Sequence, residues 1–291
     1  VLKISSLKII GPINGTDIKI LRMMIIQAKK LSILDLSDAI FIPGGEDYFS
    51  IYGYSFNAIT DQINSFMFYE CDNLQSIALP KNITRMRQEP FKGCTSLTSV
   101  HISDLSSWCK ISYDFYDSNP FISNNAKLYL NGVLINELNI PEDITEIKKF
   151  AFRNCSFESV NIPNNVTEIG EEAFAYTSLK SVYIPNSVTN MANAFVGSSV
   201  ESITFSDGLE RIGRKAFAGS SLKSLIIPKS VKIINEYAFR NCTSLESIIF
   251  PDSPVVIMSS AFENCSSLKS LNIPNDKEEF ARIKAAAEKI K

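Results

Sequence analysis

A short apolar pattern repeats along this chain at a nearly constant interval. The order apolar-x-x-apolar-x-apolar returns eleven times, and from Phe152 onward its copies are 21 to 23 residues apart. The clearest copies begin at Phe157, Leu179, Leu222 and Leu268. A repeat at this interval indicates short units that cannot bury their apolar faces alone and must stack on their neighbours. The pattern therefore predicts a solenoid rather than a domain with one central core.

The spacing inside one unit predicts a short strand. Because successive strand side chains point to opposite faces, Leu179, Val182 and Ile184 are predicted to point inward, and Ser181 and Tyr183 outward. A proline follows this strand in most units and ends it, since proline has no N–H to donate. The predicted fold class is an α/β-type solenoid rich in β structure. It is a right-handed leucine-rich-repeat coil with one parallel sheet and helical caps at both ends.

The repeats cover nearly all of the 291 residues, so the chain is predicted to be a single solenoid domain, 1–291. A helix is predicted over residues 16–30, with Thr16 as its N-cap. The pair Asn131-Gly132 between apolar runs predicts a hairpin. The predicted parts are an N-terminal cap region with the first strands (1–36), an aromatic insertion (37–70), an irregular insertion with the hairpin (104–134), regular repeats (135–274) and a C-terminal capping helix (275–291).

Two columns of the repeat are predicted to be structural. One column supplies a large ring to each unit and should form a stacked spine. The slot three residues later holds Cys, Thr or Ser, so it needs a small, semi-polar residue, and we expect packed thiols there rather than disulfides. The rings are Phe152, Phe174, Phe195, Phe217, Phe239 and Phe262, and the cysteines of the slot are Cys71, Cys94, Cys155, Cys242 and Cys265.

Two outward strand positions are regular from unit to unit. At the second position the charge alternates between Glu and Lys from Glu158 to Lys269, which places opposite charges beside each other on stacked strands. Such exposed pairs contribute little stability but oppose a slip by one repeat. The third position is almost always serine, which favours close stacking over recognition. Neither position is predicted to bind a ligand.

The fifth strand position varies and is the candidate binding surface. It holds Lys8, Asp35 and Ala78 in early units, and a run of one aromatic, one Thr and two Ile residues later. Contiguous exposed apolar surface often marks an interaction site, although cross-strand packing explains the run equally well. The predicted ligand-binding residues are His101, Asn161, Tyr183, Thr204, Ile226 and Ile249.

The aromatic residues of the two insertions compete for the same role. Amphipathic aromatics are enriched at binding hot spots, yet most such residues in a folded insertion belong to its core. The residues concerned are Tyr48, Tyr52, Tyr54, Trp108, Tyr113 and Tyr116.

The composition argues against nucleic-acid binding, a membrane-spanning helix and most kinds of catalytic site. A net charge of -2 without basic clusters argues against nucleic acid as a partner, and no apolar run approaches the roughly 18 residues of a membrane-spanning helix. His101 is the single histidine and no phosphate-binding glycine motif occurs, so we predict no catalytic residue, no metal site and no cofactor. Only chemistry between two carboxylates stays open. The chain is predicted not to be an enzyme.

The unit order S-L-x-S-V-x-I-P-x-S-V-T-x-I-G-x-x-A-F-x-x-C resembles the BspA-like leucine-rich-repeat family of bacterial surface proteins. The resemblance spans residues 66–103 and 135–274. It implies a cell-surface or secreted protein, exported by a signal segment that is not in this chain. Such a protein binds a protein or glycan partner, such as a host molecule, and acts in adhesion. We expect a monomer. A cell-envelope scaffold without a discrete ligand is the alternative. The family offers no catalytic motif to carry over.

Overall fold

The structure, a computed structural model, describes residues 4–121 and 126–272. The chain divides into two compact units, Val1–Ile135 (unit 1) and Asn136–Lys291 (unit 2). Each is a stack of coils whose strands pair mainly in parallel, so the solenoid class predicted from the repeat is confirmed. The predicted capping helix at 275–291 lies outside the described residues. The assignment of 1–291 to one domain stays a prediction.

Unit 1 contains one long sheet, one short sheet, one hairpin and two helices. The long sheet has the strand order β1-β2-β6-β8-β10-β11, the short sheet β5-β7-β9, and the hairpin β3-β4. The elements are β1 Ser6–Ile13, α1 Gly15–Ile26, β2 Ile33–Phe41, β3 Phe49–Ile51, β4 Tyr54–Phe56, β5 Gln62–Ile63, β6 Ser76–Ala78, β7 Arg85–Met86, β8 Ser99–Ile102, α2 Leu105–Lys110, β9 Ser112–Tyr113, a 3-10 turn Tyr116–Ser118, β10 Lys127–Leu130 and β11 Val133–Leu134.

Unit 2 is built only of short strands and turns over its described residues. One wall contains the ladders β12-β14, β16-β17 and β19-β21-β23, and the other wall contains β13-β15 and β18-β20-β22. The strands are β12 Glu137–Asn139, β13 Glu146–Ile147, β14 Ser159–Asn161, β15 Glu168–Ile169, β16 Ser181–Ile184, β17 Ser202–Phe205, β18 Arg211–Ile212, β19 Ser224–Ile226, β20 Ile233–Ile234, β21 Ser247–Ile249, β22 Val256–Ile257 and β23 Ser270–Asn272.

The second wall of the coils also pairs in parallel. In unit 2 its ladder aligns Ile212 with Ile234 and Ile234 with Ile257. These side chains are buried, so the second wall faces the same core as the first wall. The core is therefore a column of aliphatic side chains between two narrow sheets.

The predicted phenylalanine spine is confirmed. The six rings from Phe152 to Phe262 are buried, and neighbouring rings stack with centroids 5.1 to 5.8 Å apart and planes within 9°. Phe68 and Phe91 of unit 1 stack in the same way at 5.6 Å. Since the repeat sets the ring spacing along the axis, each ring fills the space between its two neighbours.

The structure gives the reason for the small semi-polar slot after each ring. The thiols of Cys242 and Cys265 donate to the carbonyl oxygens of Phe217 and Phe239 in the preceding coil, each at 3.2 Å. Thr177 at the same slot donates to a spine carbonyl of its own coil at 2.8 Å. The slot therefore takes a short side chain, and in these three coils its hydrogen satisfies a carbonyl oxygen of the spine. The five cysteines of this slot are buried thiols, as predicted, and Cys109, which lies outside the slot, is a buried thiol as well.

The N-terminal helix differs in its bounds from the prediction. Helix α1 is capped by Asn14, whose side chain accepts from the backbone N–H of Thr16, while Asp17 accepts from the Asn14 backbone at 2.9 Å. This is a capping box, so Thr16 is not the N-cap. The helix ends at Ile26 because the segment after it turns through Lys29, at φ 46°, into β2.

The segment 37–70 contributes more to the repeat than an insertion would. Strand β2 continues through Phe41, and Phe68 lies in the stacked-ring column. The aromatic core of the segment joins the β3-β4 hairpin to the next turn, with Phe49 within 5.4 Å of both Phe66 and Tyr69. Arg22 of α1 lies over the Phe49 ring at 4.9 Å. The hairpin therefore packs against α1.

The hairpin predicted at Asn131-Gly132 is confirmed. Strands β10 and β11 pair antiparallel around these two residues, whose φ angles are 49° and 81°. Two positive φ values in a two-residue loop match the right-handed twist of the flanking strands. Within the predicted irregular segment 104–134, however, β10 is a regular strand of the long sheet and pairs in parallel with β8.

Candidate functional site

Five of the six predicted binding residues form one outward row on unit 2. The ladders place Tyr183 beside Thr204 and Ile226 beside Ile249. Backbone hydrogen bonds from Lys180 to Glu158 and from Lys223 to Glu201 join the neighbouring coils, at 3.0 and 3.2 Å. We call this row, Asn161, Tyr183, Thr204, Ile226 and Ile249, the unit 2 row.

The apolar members of the unit 2 row are well exposed. The exposed fractions are 49% for Tyr183, 63% for Ile226 and 47% for Ile249. Thr204 and Asn161 are exposed as well. Because the inward face of each short strand is buried, the side chains of the row point to solvent. This does not explain why Tyr183, Ile226 and Ile249 are apolar. Tyr183, Ile226 and Ile249 therefore form an exposed apolar strip, interrupted by Thr204, on an otherwise polar face.

Serines and alternating charges border this strip. The third-position serines of β16, β17 and β19 are exposed. At the second position Lys223 pairs with Glu201, and Lys269 pairs with Glu246 at 3.4 Å. The predicted charge ladder thus forms real contacts at these coils. Because the signs alternate, the border of the strip has no net charge of either sign.

His101, the sixth predicted residue, belongs to a different row on unit 1. The long sheet places Lys8, Asp35, Ala78, His101 and Tyr129 side by side on neighbouring strands. We call these five residues the unit 1 row. The six predicted residues therefore belong to two rows, one in each unit.

A β-bulge builds one end of the unit 1 row. Between Lys8 and Ile10 the register of β1 against β2 shifts by one residue, so that β2 has an extra residue there. As a result, both Asp35 and Asp38 face Lys8, whose ammonium lies 3.4 and 2.7 Å from their carboxylates. Burial alone would raise the pKa of Asp35, but hydrogen bonds from Ser37 and the Lys8 charge outweigh it, and the pKa is lowered. Asp35 is therefore ionised at neutral pH.

An aromatic pair forms the other end of the row. The His101 ring stacks on Tyr129, with centroids 4.6 Å apart and planes 21° apart. Burial lowers the pKa of His101, and the Asp35 carboxylate opposes that shift only in part. The imidazole is therefore neutral at neutral pH, and it is half-buried rather than fully exposed.

Ala78 leaves a depression between the two ends of the unit 1 row. The depression has a volume of about 340 Å³. We call it the unit 1 notch. Its lining includes Ile33, Asp35, Ser76, Ala78, His101 and Asn131. The shortest side chain of the row thus separates an ionised carboxylate from a neutral aromatic ring.

The structure sorts the aromatic residues of the insertions into core and surface. Tyr48, Trp108 and Tyr113 are buried, and the Tyr48 hydroxyl donates to the Ser65 carbonyl oxygen at 2.7 Å. The exposed residues are Tyr52 (91%), Tyr54 (71%) and Tyr116 (53%). Half of the set therefore belongs to the core.

Two residues that contact the walls of the unit 1 notch, Tyr129 and Asp38, are not predicted by the sequence to lie there. Tyr129 lies in the segment predicted to be irregular, although the alternation Leu128-Tyr129-Leu130 is a strand signal. Asp38 faces Lys8 only because of the bulge, and no local sequence pattern predicts a bulge.

Over residues 4–121 and 126–272, no group of three or more His, Cys, Asp or Glu residues is placed to hold a metal ion. No helix in those ranges is long and apolar enough to cross a bilayer.

The fold defines the class of this protein, a repeat solenoid whose coils pair mainly through parallel strands. The repeat described as "BspA type Leucine rich repeat region" matches in six copies, over residues 47–129, 121–196 and 191–284. The chain therefore belongs to the BspA-type leucine-rich-repeat family.

Solved structures of proteins from several bacteria also match this chain. A leucine-rich cell surface protein of Faecalibacterium prausnitzii is 20% identical, with 81% of this chain and 88% of that chain covered, at a TM-score of 0.31. A leucine-rich repeat protein of Bacteroides ovatus is 18% identical, with 91% and 84% covered, at 0.32. The pneumococcal vaccine antigen PcpA is 17% identical, with 82% and 71% covered, at 0.43. No curated protein matches the sequence. The family assignment rests on the repeat match alone.

Proposed function

We propose that this chain is a non-catalytic binding module, displayed at the cell surface or secreted, that binds a protein partner through the unit 2 row. The observation behind the proposal is the exposed strip of Tyr183, Ile226 and Ile249 on a face whose other positions are serine and alternating charge. Membership of the BspA-type family supports an exported repeat module that acts by interaction.

The chemistry of the strip favours a protein over other partners. A partner gains most where it covers the apolar side chains, since burial of such surface is the main favourable term in association. The alternating Lys and Glu border offers no net charge to attract a polyanion. Tyrosine is also enriched among residues that dominate binding energy. A protein surface with apolar anchors fits these features, and a glycan is the second candidate.

The test is capture by the purified chain from a defined panel of host extracellular proteins, with a glycan array run in parallel. Tyr183→Ala and Ile226→Ser should each reduce the affinity for a captured protein at least about ten-fold, because truncated hot-spot residues cost about 2 kcal/mol or more. The readout is a dissociation constant from surface plasmon resonance.

Unit 2 offers a matched control for each substitution. Tyr176 has the same exposed fraction as Tyr183, 49%, and Val256 is 58% exposed on the other wall. Tyr176→Ala and Val256→Ser should leave binding unchanged. Equal losses in controls and test variants would refute the unit 2 row as the binding surface. Binding only on the glycan array would refute a protein partner.

The alternative is a cell-envelope scaffold without a discrete ligand. The exposed serine column favours it, because a uniform small residue suits stacking and offers little to recognise. A defined one-to-one complex with slow dissociation contradicts the scaffold. The absence of any binding in both panels supports it.

A further inference from the structure

We propose that the unit 1 notch is a second binding site, distinct from the unit 2 row, and that it holds one ring of a neutral pyranose sugar. The site is formed by Asp35, Ser76, Ala78, His101 and Asn131, with Tyr129 behind His101. The inference does not depend on the proposed protein partner, because no residue of the unit 2 row takes part.

The shape of the notch comes from one short side chain. Ala78 lies between Asp35 on β2 and His101 on β8, and the three residues are in register. Adjacent strands are about 4.8 Å apart, so the backbones of β2 and β8 are about 10 Å apart across this gap. A volume of about 340 Å³ lies near the lower end of small-molecule sites, about 300 to 1,000 Å³. It suits a single ring or two rings better than an extended peptide.

The His101 ring presents one free face to the notch. Its other face stacks on Tyr129 of β10, and β6 with Ala78 lies on the opposite side. The face of an aromatic ring carries partial negative charge and attracts the weakly positive C–H groups of a saturated ring. Since the pair with Tyr129 holds the imidazole in place, little ordering entropy is lost when a ring stacks on it.

The opposite wall supplies acceptors for hydroxyl groups. Asp35 accepts hydrogen bonds from Ser37, including one from its backbone N–H at 2.9 Å, and pairs with Lys8 at 3.4 Å. An ionised carboxylate has about four lone-pair sites, so Asp35 keeps capacity for further donors. Bonds from hydroxyls to a carboxylate are among the stronger hydrogen bonds. Ser76 and Asn131 add a hydroxyl and an amide at the lining.

The local charges exclude strongly ionic ligands. Lys8 is shared between Asp35 and Asp38, so these three residues have a net charge of -1, which disfavours an anion. A cation would have to compete with the Lys8 ammonium that already pairs with Asp35, and the neutral His101 ring is a weak cation-π partner compared with Trp or Tyr. A neutral ligand with an apolar face and several hydroxyls satisfies both walls, and a pyranose has these properties.

The single histidine of the chain provides the assay. His101 is the only imidazole, so its ring-proton NMR signals are assigned without ambiguity. The probes are methyl glucopyranoside, methyl galactopyranoside and methyl mannopyranoside, titrated one at a time into the full chain. At least one of them should shift the His101 signals saturably. Glucuronate and glucosamine, which are charged, should bind more weakly than the neutral sugar of the same configuration.

A matched pair of variants tests the notch itself. Ala78→Leu fills the gap and should weaken binding at least about ten-fold, because the larger side chain occupies the space in which the sugar ring would lie. Ala78→Ser keeps the volume and should retain binding within about two-fold. Asp35→Asn keeps the shape and should weaken binding by removing the charged acceptor. This third variant tests the proposal if Ala78→Leu does not fold, as judged by circular dichroism.

The results separate this site from the proposed protein partner. Tyr183→Ala should leave the His101 titration unchanged, and Asp35→Asn, which weakens sugar binding, should leave capture of a protein unchanged. The pyranose site is overturned if none of the three sugars gives a saturable shift. It is also overturned if folded Ala78→Leu binds as the parent does, or if glucuronate or glucosamine binds more tightly than the neutral sugar.

Discussion

The centre of the phenylalanine spine offers the strongest test of how the coils are stabilised. Phe195 is fully buried, and its ring stacks on Phe174 at 5.2 Å and on Phe217 at 5.1 Å. Burial of a Phe side chain contributes about 1.5 to 3 kcal/mol. Each of the two ring pairs adds about 0.5 to 1.5 kcal/mol. Phe195→Ala should therefore lower the free energy of unfolding by about 3 to 5 kcal/mol, the range typical of buried Phe→Ala changes.

The location of the loss is as informative as its size. In a repeat stack each coil contacts only its neighbours, so a gap at Phe195 weakens the two adjacent interfaces directly. Hydrogen exchange should speed up most at the backbone N–H groups of Phe174 and Phe195, which donate between coils to Ala194 and Ala216, each at 2.9 Å. The size of the loss is measured by urea denaturation followed by circular dichroism.

Two further variants make the spine prediction refutable. Phe195→Leu keeps most of the buried volume and loses the ring stacking, so it should cost less than Phe195→Ala. Tyr183→Ala removes an aromatic residue that is 49% exposed on a neighbouring coil and should cost less than about 1 kcal/mol. A loss below about 1 kcal/mol for Phe195→Ala would refute a spine that stabilises the coils, since no buried Phe that fills a packed column should cost so little.

Three other predictions concern single groups. Burial raises the pKa of the Cys242 thiol from 9.0 to about 11; the folded state therefore binds more protons than the unfolded state in this window, and stability should fall as pH rises from about 9 to about 11. In urea denaturation, the free energy of unfolding of Cys242→Ala should fall less between about pH 9 and about pH 11 than that of the parent. The same fall in both proteins would contradict a raised pKa for the Cys242 thiol. Gly132→Ala places a side chain at φ 81° with no atom within 4 Å, so it should cost about 1 to 2 kcal/mol through backbone strain alone, measured as a lower urea midpoint. Tyr48→Phe removes the 2.7 Å hydrogen bond to Ser65 and should cost about 1 kcal/mol, whereas Tyr54→Phe, at a residue 71% exposed, should be neutral in thermal denaturation.

The repeated columns of the molecule could be predicted from sequence because they follow a local rule. Every unit has the same length within two residues, so each Phe of the spine meets the next Phe whatever the rest of the chain does. The small slot after the ring was predicted in the same way, since Cys, Thr and Ser replace each other there. The carbonyl that this slot satisfies belongs to the preceding coil in the case of Cys242, so the reason for the slot emerged only from packing.

The irregular regions could not be predicted to the same depth. Tyr129 becomes the neighbour of His101 because β10 pairs with β8. A helix and a turn separate these two strands in the sequence, and the length of that segment breaks the repeat period from which the register could be predicted. Asp38 reaches Lys8 only through a bulge in β2. Asn14 rather than Thr16 caps α1, because the capping box with Asp17 favours the earlier start.

The sequence by itself determined a repeat solenoid of the BspA type, the spine, the thiol slot and the outward position of the unit 2 row. These features depend on the period of the apolar pattern, and that period can be read from the amino-acid sequence alone. Only the tertiary structure decided that Ala78 lies between Asp35 and His101, with Tyr129 behind His101. These residues come from strands separated by loops of unequal length, and their neighbours depend on which strands pair and in which register. Each gap between side chains, and each site that it forms, is therefore a property of the folded sheet.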